Sequence, residues 1–168
     1  MEGGFMFTKS LLAAFTTLFI TTALAYPNVG DKVSWTGTMS TVSGETNAVK
    51  ITKEVIGHDE KKNIWKIKIE AVVGTEKTSE TMEISDLYSP AKYKALIVDC
   101  VKNGGTLEKL IAPAGTYDTC KMSMTMADGT MVERWWGDIP FGVVSKNTRD
   151  SGKMPISKPD LNSIIAGL

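Results

Sequence analysis

The chain has a single histidine, His58, among its 168 residues. That scarcity excludes most imidazole chemistry. A Ser-His-Asp triad needs an oriented nucleophile beside the ring, and no Gly-x-Ser-x-Gly elbow occurs. A zinc site needs several converging Cys, His or carboxylate ligands. His58 instead lies in Gly57–Asn63, a charged stretch that reads as a solvated turn. Charge of one sign is not in excess, with 19 basic against 19 acidic residues. Neither nucleic acid nor an anionic membrane surface is therefore an expected partner. No glycine-rich loop opens a helix, so no phosphate cradle is expected. The longest apolar run is about 15 residues, short of the roughly 20 that span a bilayer. There is no internal repeat and no low-complexity segment. Glu76, Glu80 and Glu83 fall on a stretch that reads as a solvent-facing strand. They leave a carboxylate-based hydrolase as the open enzyme class. The reading taken is a non-enzymatic protein without a cofactor.

The short apolar run is Leu11–Ala25. Lys9 precedes it, and it closes on Ala23-Leu24-Ala25. A charged start, an apolar centre and a small-x-small exit make a secretory signal. Residues 1–25 are thus expected to be a signal peptide cleaved near Ala25, leaving Tyr26–Leu168 as one domain, periplasmic or secreted, with no retained membrane segment. Glu2 is out of place in such a leader, and a start at Met6 gives a cleaner one. Export to an oxidising compartment bears on the only two cysteines, Cys100 and Cys120. An isolated pair is expected to bridge there. Their spacing is not that of a Cys-x-x-Cys redox pair.

Beyond Tyr26 the hydrophobic pattern has period 2. Val33, Trp35, Gly37 and Met39 alternate with Ser34, Thr36, Thr38 and Ser40. Val49 and Ile51 continue it. Trp65, Ile67, Ile69, Ala71 and Val73 alternate with Lys66, Lys68 and Glu70. Lys77–Ile84, Tyr93–Val101, Thr106–Ala112, Thr116–Met126, Met131–Trp136 and Phe141–Lys146 complete the expected strands. Asn103-Gly104-Gly105 and Asp128-Gly129 read as hairpin turns. Ser157-Lys158-Pro159-Asp160 reads as a helix start, with Pro early in the first turn, and Leu161–Leu168 as one or two helical turns, a frayed tail or a short edge strand. The fold class is all-β. The expected form is a curved antiparallel meander sheet or half-barrel of roughly eight or nine strands, with a short C-terminal helix or tail.

Two features stand out on these strands. Met122, Met124 and Met126 alternate, so their thioethers share a face, and Met131 lies just beyond the hairpin. Cys120 shares their parity, which favours a core stripe of adaptable side chains. The same stripe could line a cavity for an apolar ligand, or hold Cu(I), which soft thioethers select. Trp135 and Trp136 are adjacent and must face opposite sides of one strand. One of them is therefore available for contact with a ligand or a partner.

Ile111–Cys120 contains Pro113-Ala114-Gly115-Thr116-Tyr117, and Trp135–Val144 contains Trp136-Gly137-Asp138-Ile139-Pro140-Phe141-Gly142. Over Asn103–Lys146 this pattern resembles an uncharacterised family of exported bacterial β-sheet proteins. Through that family the chain is distantly similar to the LolA/LolB lipoprotein carriers. The resemblance implies a curved sheet whose concave face takes acyl chains beneath helical lids. The expected function is a periplasmic binding or accessory protein holding an apolar or lipid-like ligand on Trp35, Trp65, Met122, Met124, Met126 and Trp136. The alternatives are a structural or interaction module contacting an envelope protein, and Cu(I) handling through the three methionines.

Overall fold

The computed structural model describes residues 26–40, 45–150, 153–157 and 160–165. The expected leader lies outside the described residues. In chain order the elements are β1 (Lys32–Ser40), β2 (Thr46–Asp59), β3 (Ile64–Val73), β4 (Glu76–Ile84), α1 (Pro90–Asp99), β5 (Thr106–Ala112), β6 (Gly115–Thr125), β7 (Met131–Trp136), β8 (Val143–Asp150), β9 (Lys153–Ser157) and β10 (Asp160–Ile165). Strands β1–β4 form one antiparallel meander. Strands β5–β8 form a second. β10 joins the two, pairing with β1 from Lys32 to Thr36 and with β8 at Ser145. The order is β4-β3-β2-β1-β10-β8-β7-β6-β5. The sheet is therefore open, with β4 and β5 as its ends. The all-β antiparallel class is the one the alternation predicts, because each alternating stretch has an apolar face to cover.

Three local expectations are corrected. Tyr93–Val101 is not a strand: Pro90–Asp99 is helical. Ser89 caps it, its hydroxyl accepting from the Lys92 N–H at 3.4 Å, and Pro90 occupies the first turn, where its missing N–H costs nothing. Asn103-Gly104-Gly105 is consequently the turn from α1 into β5, not a hairpin between strands. The C-terminal segment is not a helix: residues 153–157 and 160–165 are strands, because β1 offers β10 a free edge to pair with.

The core lies between the meanders. Val33 and Trp35 of β1 pack with Ala112 of β5, Ile139 of the β7–β8 connection and Val144 of β8. Ser34, on the polar side of the alternation, is nonetheless buried, and its hydroxyl bonds the Thr52 hydroxyl at 3.0 Å. Cys100 follows α1 and is disulfide-bonded to Cys120 in β6, with Cα atoms 5.9 Å apart. The bridge thus ties a helix end to the sheet, rather than two strands to each other.

Candidate functional site

A cleft of about 340 Å³ opens between the two meanders. Its first wall is Trp35 of β1 and Ile51 and Lys53 of β2; its second is Arg134 and Trp136 of β7 and Val143 and Lys146 of β8, with Phe141 from the β7–β8 connection. Each wall is built from facing residues on neighbouring strands. Trp35 faces Ile51, Trp136 faces Val143, and Arg134 faces Lys146. A hydrogen bond fastens the walls, with Trp35 Nε1 donating to the Val143 carbonyl at 2.8 Å.

The connection that carries Phe141 is held from below. Gly142 N–H donates to the Ile139 carbonyl at 3.0 Å, and Gly137 N–H to the Gly142 carbonyl at 2.8 Å. Phe141 has φ +63°. A side chain in this left-handed region is strained by about 1–3 kcal/mol, and such strain clusters at sites that use it. Here it aims an aromatic ring into the cleft. Gly142, at φ +75°, lies so close to the Tyr88 ring that a Cβ would sit 2.8 Å from it. The Tyr88 ring also meets Trp136, with centroids 5.8 Å apart. Tyr26, 7% exposed, donates its hydroxyl to Asp138 Oδ1 at 2.5 Å. Tyr26 thereby anchors the connection. Burial, and then the Asp138 bond, push the Tyr26 hydroxyl well above the ordinary phenol range.

Three cations converge here. Burial lowers the Lys53 ammonium from its ordinary value, the neighbouring Arg134 and Lys146 lower it further, and the more distant Glu80 opposes them without forming an ion pair. Burial and Arg134 lower Lys146 in the same way. The Lys53 ammonium stands 6.0 Å from the Phe141 ring centroid. Among the described residues, no carboxylate forms an ion pair with any of the three.

The structure brings together two of the residues named from sequence, Trp35 and Trp136. The others do not line the cleft, although Met122, half-buried, faces Arg134 across β6 and β7. Trp65 stacks on His58 at the far end of β2 and β3, with centroids 3.7 Å apart. His58 is thus the end of a strand rather than a turn residue. Met124 and Met126 are 52% and 51% exposed near the end of β6, so the stripe is not core there. Met131 faces Thr125, which puts it on the face opposite Met124. Trp135 and Trp136 do divide between two faces. Trp135 is buried, donating to the Glu108 carboxylate, with the Lys121 ammonium 4.9 Å from its ring centroid.

Lys53, Arg134, Lys146, Phe141, Ile51 and Val143 were not singled out from sequence. A signal existed for two of them. Lys53 has the parity of Val49, Ile51 and Val55, so it is a charge on an otherwise apolar face. Arg134 interrupts Val132 and Trp136 in the same way. Phe141 gave none, because its direction depends on a backbone angle that the sequence does not display.

Among the described residues no helix is long and apolar enough to cross a membrane. No protein family matches the chain. No curated protein matches it either. Among solved structures, it is similar to a Bacteroides fragilis protein described as exported and as having a YmcC-like fold. The TM-score is 0.48 at 11% identity, covering 84% of this chain and 99% of that one. These comparisons add no support to the lipoprotein-carrier resemblance.

Proposed function

We propose that the chain is an exported, non-enzymatic binding protein that holds one small apolar or lipid-like ligand in the cleft between its meanders. Export rests on the leader pattern of residues 1–25. The observation that carries the binding reading is the cleft itself. Its volume of about 340 Å³ falls at the low end of small-molecule sites, and Trp35, Trp136 and Phe141 supply flat apolar surface. The strained Phe141 backbone supports it, since a plain connection would relax. The three methionines are not part of this site. A Cu(I) reading would have to gather thioethers whose Cα atoms are spaced about 7 Å apart along β6. The deep, lidded cavity of the lipoprotein carriers is not part of the proposal. α1 lies against β6 and lends no side chain to the cleft.

Native mass spectrometry of the protein purified from the envelope fraction of its own host tests this reading. The expected spectrum shows the chain from Tyr26 with one small bound species, lost when Trp136 is replaced by Ala. A spectrum without an adduct, from protein that also fails to enhance the fluorescence of an apolar dye, would sink it.

A further inference from the structure

We infer that the ligand of the cleft is an amphiphilic anion, a single chain or ring bearing one carboxylate or phosphate head held by Lys53, Arg134 and Lys146. The inference deepens the cleft reading and rests on it.

The argument starts from how this sheet treats charge elsewhere. Three lysines that face a carboxylate on a neighbouring strand form an ion pair with it. Lys32 faces Glu54 with N–O 2.9 Å, Lys66 faces Glu83 at 3.8 Å, and Lys109 faces Asp118 at 2.6 Å. That is the favourable arrangement, and like charges directly opposite one another are destabilising. Arg134 and Lys146 break the pattern. They face each other across β7 and β8, and Lys53 closes on them from β2. All three are half-buried. A solvated cationic surface would not need burial, and a structural cluster would recruit a carboxylate, as these strands do elsewhere. The Phe141 ring beside Lys53 offsets little, about 0.5–1 kcal/mol at a partly exposed site. An anion brought by the ligand would supply the missing counter-charge.

The neighbouring residues say what the anion is attached to. Trp35, Ile51, Trp136, Phe141 and Val143 share the cleft with the cations, so one end of the site is charged and the rest is apolar. A guanidinium flanked by ammoniums suits a planar or tetrahedral oxyanion, because its paired N–H groups meet two oxygens at once. The volume suits one chain or ring rather than a two-chain lipid.

Isothermal titration of the mature chain at neutral pH, with octyl phosphate, octanoate, octanol and inorganic phosphate, tests this directly. At least one of the two anionic amphiphiles should bind at least about tenfold tighter than octanol, and weaken as salt is added. The preference between them identifies the head. Lys53→Met and Lys146→Met should each cost about tenfold for the anion and leave octanol unchanged. The comparison of the four ligands on the unaltered chain needs no variant to fold. Equal affinity for octanol and the anions would overturn the anionic head and leave the cleft reading standing. Inorganic phosphate binding as tightly as octyl phosphate would overturn the amphiphile. Binding of none of the four would overturn this inference, and with an empty native spectrum the cleft reading as well.

Discussion

Trp35→Ala should lower the stability of the fold by about 3–5 kcal/mol, the range for truncating a large core aromatic. Trp35 is 6% exposed and sits in the cluster that joins the meanders. Its ring fills space that no neighbouring strand can collapse into without breaking a ladder. Its Nε1 is also the donor to the Val143 carbonyl, so truncation leaves an acceptor without its partner as well as a cavity. Domains of this size have about 5–15 kcal/mol in total, so the variant should be close to unfolding at physiological temperature. Trp65→Ala is the internal contrast. Trp65 is half-buried and stacked on His58 at a strand end, and its loss should cost much less. Urea denaturation followed by circular dichroism measures both. Equal midpoints for the two variants would mean that the seam between the meanders is not the core.

Replacing Cys100 and Cys120 together by alanine should cost about 3 kcal/mol in the chain-entropy picture for a loop of this length, the sequence separation being 20. The loss should not be spread evenly. No residue of α1 is buried, and Val98 at its end is 82% exposed. The helix is held by the Ser89 cap, a Lys92–Asp86 ion pair, a bond from the Tyr93 hydroxyl to the Asp118 carbonyl at 3.1 Å, half-buried Leu96 and Ile97, and the bridge. Gly105 then packs directly on the sulfurs; a Cβ there would lie 2.7 Å from Cys100 Sγ and 2.8 Å from Cys120 Sγ. Without the bridge, α1 should open before the sheet does. Amide hydrogen exchange checks this, with protection falling most in Pro90–Asp99 and least in β1 and β2. A uniform fall across the chain would contradict the idea that the disulfide serves mainly to hold the helix.

Most strands were legible because period 2 survives burial on one face. Helix and strand are hard to tell apart at two places, and for related reasons. At Ser89-Pro90 a capping serine followed by proline is a helix start, and the alternation of Tyr93–Val101 masks it. At Ser157–Asp160 the same helix-start signal is present, but pairing with β1 decides the outcome. Local propensity wins where the chain is free of partners and yields where an unpaired strand waits. The cleft was half legible. Trp35 and Trp136 follow from alternation. Lys53 and Arg134 show as charges of the wrong parity. Yet no sequence pattern says that β2 and β7, far apart in the chain, face each other. That depends on β10 entering between β1 and β8. For the methionine stripe, shared parity fixes a common face, not what that face meets.

The chain carries four tryptophans, which allow one direct measurement of where a ligand sits. Each gives a separate indole N–H signal in a nitrogen–proton NMR spectrum, once assigned by single Trp→Phe replacements. During titration with octyl phosphate or octanoate, whichever calorimetry finds the tighter, the Trp35 and Trp136 signals should shift in a saturable way. Trp65, at the far end of β2 and β3, and Trp135, on the opposite face of β7, should stay in place. Shifts confined to Trp65 or Trp135, or no shift at any of the four, would contradict a binding cleft between the two meanders.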